Sequence, residues 1–201
     1  MYDILYRVWI DTLKVMIWNI KIVESKVEVR KYGTFIDIIM AGYRRTPTGE
    51  NIKLDIPWWC FHFMRCLGKN NQNRYVYELD VIQHKETKAI GVILPRELDI
   101  WGFLRWEIHP LTFPIIERNG KREVFDLSEA INEIRLNDIT VIGNIYQTPQ
   151  YLSDDYLHKL YPFDEVMEIL GEDEYTETHV MKAGYSLEEE LKKEGWLTGD
   201  E

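Results

Sequence analysis

The sequence predicts a mainly β protein of the α+β class. Residues 1–152 read as a compact antiparallel β domain, for which a small barrel is one closed form, and residues 153–201 as an acidic helical extension. Three observations carry that expectation. Short runs rich in Val, Ile, Tyr and Trp recur between turn-forming residues. Helical periodicity enters only late in the chain. The charge is also divided: residues 151–201 hold 15 acids and 4 bases, whereas residues 1–150 hold 19 acids and 20 bases, so the net charge of −10 belongs to the C-terminal quarter.

Taken in order, Tyr6–Ile10 and Lys14–Ile22 form a hairpin pattern around Asp11-Thr12. The apolar run Thr34–Gly42 meets Arg44-Arg45-Thr46-Pro47-Thr48-Gly49-Glu50, where Pro47 presets φ for a turn and Gly49 relaxes the exit. Ile56–Arg65 reads as an aromatic-rich strand, Gly68–Asn73 as a polar loop and Arg74–Gln83 as the return strand. Lys88–Leu94 and Phe103–Ile108 are short strand candidates. Asn119-Gly120, between alternating flanks, predicts a type I′ hairpin because both central residues of that turn need φ > 0.

Helix starts at Asp126, where Glu129 completes a capping-box pattern and Leu127, Ala130, Ile131 and Ile134 share a face. Ile139–Tyr146 returns to strand. Ser153 then caps a helix carrying Tyr156, Leu157 and Leu160, and Pro162 interrupts it. Phe163, Val166, Met167 and Leu170 form a second apolar stripe ending at Gly171. Ser186 with Glu189 predicts a last capped helix, stopped by Gly195.

Three segments carry a family resemblance. They are Tyr6-Arg7-Val8-Trp9-Ile10-Asp11 with Lys14-Val15-Met16, then Phe63-Met64-Arg65-Cys66-Leu67-Gly68 running on to Tyr77-Glu78-Leu79-Asp80-Val81, and finally Val141-Ile142-Gly143-Asn144-Ile145-Tyr146-Gln147-Thr148-Pro149. In order and spacing these resemble the YopX family of phage and prophage proteins, whose pattern has an "RAWD…KKM" start, a "TGL…NG…YEGDIV" middle and a "VIGNIYENPEL" end. The resemblance spans residues 5–152 unevenly and implies a β-rich domain with no established biochemistry. It marks Trp9, Asp11, Gly68, Tyr77, Glu78, Asp80, Gly143, Asn144, Tyr146 and Pro149 as motif residues. Where the family has glycine in Tyr-Glu-Gly-Asp, this chain has Leu79, which is expected to change the local turn because leucine lacks glycine's conformational freedom.

Read physically, these motifs are mainly structural. Gly143-Asn144 suits a bulge or a turn into the left-handed region, and Pro149 a strand exit. On a continuous strand Glu78 and Asp80 would share a face about 7 Å apart. Such a pair can serve acid–base or metal chemistry, or a strand edge. Cys60, His62, Met64 and Cys66 alternate along one strand face. At strand rise the two cysteines stand about 20 Å apart, too far for one metal or a disulfide. With Trp59, Phe61 and Phe63 opposite, a strand buried on both faces is the expected explanation.

His84, His109, His158 and His179 show no paired metal-ligand spacing, and phosphate-loop, nucleophile-elbow and dinucleotide motifs are missing from the sequence. No catalytic residue, cofactor or metal is therefore expected. Tyr43, Arg44 and Arg45 form a candidate interaction loop, and Lys69 and Arg74 lie on another, although the near-neutral domain argues against extensive nucleic-acid binding. The acids Asp154, Asp155, Asp164, Glu165, Glu168, Glu172, Asp173, Glu174 and Glu177 read as solvated helix faces, or as a surface for a basic partner.

Two cysteines are too few for a disulfide framework, and Asp3, Arg7, Asp11 and Lys14 interrupt the first twenty residues too often for a signal peptide or a membrane span. A bacterial cytoplasm is the expected location. Seven Trp and twelve Tyr exceed what one core of this size holds, which points to a homo-oligomer. The expected function is that of a non-enzymatic, protein-binding accessory protein of a phage or prophage, acting on a host protein. A nucleic-acid binder or an enzyme built on the β domain is the alternative.

Overall fold

A computed structural model describes residues 5–11, 14–21, 61–94, 107–128, 135–171 and 180–197. The run Thr34–Gly42, the loop with Tyr43, Arg44 and Arg45, Cys60, and the body of the helix expected after Asp126 lie outside the described residues. The fold is α+β and mainly β, built of antiparallel strands with a helical C-terminal part. The chain divides into two compact units, Met1–Cys66 and Leu67–Glu201. The boundary expected after residue 152 falls inside the second.

In the first unit β1 (Leu5–Ile10) pairs antiparallel with β2 (Val15–Lys21), which places Ile10 opposite Val15 across the turn at Asp11. On its other side β1 meets β3 (Phe61–Lys69), with Trp9 opposite His62 and Arg7 opposite Met64. Val8, Ile10 and Met64 have no solvent exposure. The strand β3 differs from the two-faced burial expected of it: His62 and Met64 are buried, whereas Phe63 and Arg65 opposite are only half-buried. His62 and Met64 thus alternate with Phe63 and Arg65 because their face meets the core, while Cys66 is half-buried.

β3 continues into the second unit and turns at Asn70, whose side chain accepts hydrogen bonds from the Gln72 and Arg74 amides. The chain returns as β4 (Tyr75–Tyr77) and then β5 (Asp80–His84), two strands where one return strand was expected. β5 lies between β6 (Ile90–Leu94) and β10 (Ile139–Asn144), and β6 pairs outward with β7 (Glu107–Pro110). Val76, Ile82, Ala89, Ile93, Ile108, Leu127 and Ile139 form the core of this unit.

β8 (Ile115–Arg118) and β9 (Lys121–Val124) make the hairpin forecast from Asn119-Gly120, with φ of 55° and 73° at the two turn residues. Those positive values are why this dipeptide stands there.

Among the described residues, three α-helices with both ends described follow in the second unit. α1 (Asp154–Leu157) begins after Ser153, which holds the N-cap position without a side-chain hydrogen bond. α2 (Phe163–Leu170) buries Val166, packs on β9 and ends at Gly171 with φ 87°. α3 (Ala183–Lys193) begins three residues before the expected Ser186 cap, so Ser186 lies inside the helix. Its first turn is capped from a distance instead: Asp154 Oδ1 accepts from the Gly184 and Tyr185 amides at 2.9 and 3.3 Å. A carboxylate there meets both open amide donors and the positive end of the helix dipole. Gly195 stops the helix as expected, with Trp196 and Leu197 amides returning to the Leu191 carbonyl.

Candidate functional site

Most of the motif residues converge at one buried junction in the second unit. Between β4 and β5 the chain turns at Glu78-Leu79, and Leu79 adopts φ 62° despite its side chain. Leu79 therefore takes the left-handed backbone that was expected to need glycine, contrary to the expectation. Leu79 is fully buried, and that apolar burial offsets the roughly 1–2 kcal/mol that a left-handed L-residue costs. Asp80 Oδ2 accepts from the Tyr77 amide at 2.8 Å and closes the turn. Because Leu79 turns the chain, Glu78 lies in the turn and Asp80 begins β5, so the two do not lie on one continuous strand as the sequence reading assumed.

The third motif locks onto this turn. Asn144 Nδ2 donates to the Leu79 carbonyl at 2.6 Å, while Asn144 Oδ1 accepts from the Tyr146 amide at 3.1 Å. The Leu79 carbonyl also accepts from the Ile145 amide, and the Leu79 amide donates to Ile93. Thr148 completes the knot: its hydroxyl donates to the Asn144 carbonyl at 2.7 Å and accepts from the Asn144 amide at 3.0 Å. Gly143 is required here, since a methyl group at this position would run into the Thr148 hydroxyl. The β10·β5 register shifts between Val141 and Gly143, which is the expected bulge. Thr148 was not among the candidate residues; its spacing four residues after Asn144 was the available signal.

Tyr146 and Pro149 lead toward the helices. The Tyr146 hydroxyl donates to the Trp196 carbonyl at 2.7 Å, and Pro149 opens a 3-10 turn, Pro149–Leu152, directly after the strand exit. Gly68 lies in β3 against Leu136, whose Cδ1 would stand 2.8 Å from an added Cβ.

The helical part is held by captured backbone carbonyls. His109 Nε2 lies 3.0 Å from the Ala183 carbonyl, His158 Nε2 lies 3.1 Å from that of Met181, and the Tyr161 hydroxyl donates to Val180 at 3.3 Å. Burial, followed by the charge of Asp154, pushes the Tyr161 phenol far above its ordinary pKa, so it remains a donor. His158 stacks on Phe163, and His84 on Phe125. Two acids read as solvated are engaged: Asp154 caps α3, and Glu165 pairs with Arg122 of β9.

A separate cluster lies in the first unit, where Trp9 and Asp11 are joined by His62. Trp9 Nε1 donates to Asp11 Oδ1 at 2.7 Å, and His62 Nε2 lies 3.1 Å from Asp11 Oδ2. Lys14 Nζ stands 3.7 Å from the same carboxylate. Burial alone would raise the Asp11 carboxyl, yet the His62 and Trp9 hydrogen bonds, aided by the charges of His62 and Lys14, hold it below its usual value. Among the described residues, no three of His, Cys, Asp and Glu come together as metal ligands, and Cys66 is half-buried.

The fold defines a mainly β, antiparallel α+β protein whose motif residues build turns and strand ends. No family model and no curated protein matches the sequence. Among solved structures, the chain is similar to the crystal structure of protein EF1440 from Enterococcus faecalis, with a TM-score of 0.33 and 16% identity over 75% of this chain and 98% of that one. No helix among the described residues is long and apolar enough to cross a membrane.

Proposed function

We propose that this chain is a YopX-like accessory protein of a phage or prophage that works in the bacterial cytoplasm by binding protein, as a homo-oligomer and on a host partner, without catalysis. The observation that carries this reading is the distribution of apolar surface. The exposed large hydrophobic side chains among the described residues are Leu160, Leu170 and Tyr185, at 42%, 41% and 51% exposure, and all three belong to the helical part. Acids stand nearby in sequence: Asp164 and Glu168 on α2, and Glu188 and Glu189 on α3. Apolar anchors within a charged surround are the usual composition of a protein-binding surface. Consistent with this, the motif residues Tyr77, Asp80, Gly143 and Asn144 are committed to holding the backbone.

The test cannot be a chain ended after Leu152, because Leu157, Val166, Ala183, Leu187 and Leu191 are buried parts of the second unit and such a truncation removes core. The full-length protein is instead compared with a Leu160→Ser, Leu170→Ser, Tyr185→Ser variant by sedimentation velocity and by capture from host lysate. The expected outcome is a self-associated wild type with a specific host partner, and loss of both in the folded variant. A monomeric wild type that captures nothing overturns the proposal, as does a variant that behaves identically.

A further inference from the structure

We propose that one loop end of the second unit is a binding surface for the phosphate backbone of a single-stranded nucleic acid. Three segments meet there: 69–74 after β3, 85–88 after β5, and 135–138 before β10. Lys85 ties them together, since its ammonium donates to Asn71 Oδ1 at 2.9 Å and to the Asn137 carbonyl, while its amide donates to the Asp138 carbonyl at 2.8 Å. The three loops are thereby held as one frame.

The charge of this frame runs against that of the whole protein. Its segments hold Lys69, Arg74, Lys85, Lys88 and Arg135 against Glu86 and Asp138. Asp138 is turned to its own backbone, accepting from the Arg135 amide at 2.9 Å. Lys69, Arg74, Lys88 and Arg135 are exposed.

The side-chain amides are oriented by the frame. Asn71 Oδ1 accepts from Lys85, Asn73 Oδ1 from Lys69 at 3.0 Å, and Asn70 Oδ1 from two loop amides. These amide oxygens accept within the frame, and the Asn71 and Asn73 amide N–H groups stand as donors beside the cations. Lys69 is further fixed above the Tyr75 ring at 4.5 Å. A surface with five cations against two carboxylates, carrying side-chain amide donors, is complementary to phosphate oxygens, which only accept. The forked guanidinium groups of Arg74 and Arg135 suit phosphate in particular. The neighbouring amides and Gln72 supply further polar groups for exposed base edges, which favours a nucleic-acid strand over an acidic peptide.

The experiment uses the full chain and a labelled single-stranded oligonucleotide, with fluorescence anisotropy followed across a salt series. Wild type is expected to bind at low salt and to weaken steeply as salt rises. Arg74→Gln combined with Arg135→Gln is expected to lower affinity about tenfold or more and to reduce the slope of log K against log salt by about one to two. Neither guanidinium carries core packing, so circular dichroism should report an unchanged fold. Lys159→Gln with Lys182→Gln, both exposed in the helical part, should leave binding unchanged. No binding at low salt overturns the proposal, as does an affinity indifferent to the arginine pair. Equal capture of polyglutamate would overturn it in favour of an acidic protein partner. None of these outcomes bears on the apolar surface of the helices.

Discussion

Asn144 in the second unit and Asp11 in the first each use one polar side chain to tie distant stretches of chain, yet they do so with different chemistry. Asn144 is an amide: it donates to Leu79, 65 residues away, and accepts from Tyr146 with its other end. Asp11 is a carboxylate, an acceptor at both oxygens, and it gathers Trp9, His62 and Lys14. The amide is almost completely buried, and the carboxylate keeps partial contact with solvent. A neutral group that both donates and accepts can close a dry junction without titrating, whereas an anionic knot remains bound to the pH of its surroundings. In the second unit Asn144 thus ties the motif with a group that does not titrate, and in the first Asp11 does so with one that acid protonates.

Asn144→Asp breaks that comparison most severely. The replacement is nearly isosteric but sets a carboxylate oxygen against the Leu79 carbonyl, 2.6 Å from the present amide nitrogen. A buried, unpaired charge at this site should destabilise the protein by about 3–5 kcal/mol at neutral pH. The sign of its pH response is the sharper test. Burial raises the folded pKa of the new acid above its unfolded value, so stability should recover as pH falls and the acid takes up a proton it can donate to Leu79. Urea denaturation at several pH values measures this, and a variant equally stable at all of them would remove Asn144 from its assigned role.

Leu79→Gly should have a smaller effect, because two terms oppose. Glycine relieves the left-handed backbone at φ 62°, a gain of about 1 kcal/mol, but it deletes a fully buried leucine side chain, a loss of about 3 kcal/mol. The net expectation is a destabilisation of about 2 kcal/mol, read from the urea midpoint. A stabilised variant would mean that strain, and not packing, dominates the turn.

Asp154→Ala tests a third kind of polar tie, a carboxylate that receives only backbone amides. Removing the acceptor of Gly184 and Tyr185 should cost about 1–2 kcal/mol and increase amide exchange in the first turn of α3. Protection that persists there would assign the start of this helix to packing alone.

These residues also mark how far the fold was legible in the sequence. The β1–β2 turn at Asp11, the Asn119-Gly120 hairpin, the bulge at Gly143 and the stop at Gly195 are local, since each turn's chemistry sits within a few residues of its effect. The start of α3 was not legible, because its cap lies 30 residues upstream while Ser186 and Glu189 offered a plausible local one. Leu79 was misread for a related reason: backbone preference favours glycine at positive φ, and only the tertiary burial of leucine reverses that preference. Of the candidate residues, the motif asparagine and its glycine were visible as a pattern. Their partner carbonyl was not, and neither was the convergence of Lys69, Lys85 and Arg135, whose loops lie far apart in the chain.

The smallest expected effect belongs to Asp11 itself. Its folded carboxyl lies below the ordinary value, so its contribution to stability is complete above the unfolded pKa of about 4 and is lost as pH falls through the folded value. Asp11→Asn should therefore lower stability slightly at neutral pH and flatten the acid limb of the profile. The site is partly open to solvent, and screening keeps the change small. Thermal melts of the two proteins between neutral and strongly acidic pH make the comparison, with the wild-type and variant curves converging in acid. If they stay parallel, the tie between Asp11 and His62 contributes nothing that protonation removes, and the contrast with Asn144 reduces to burial alone.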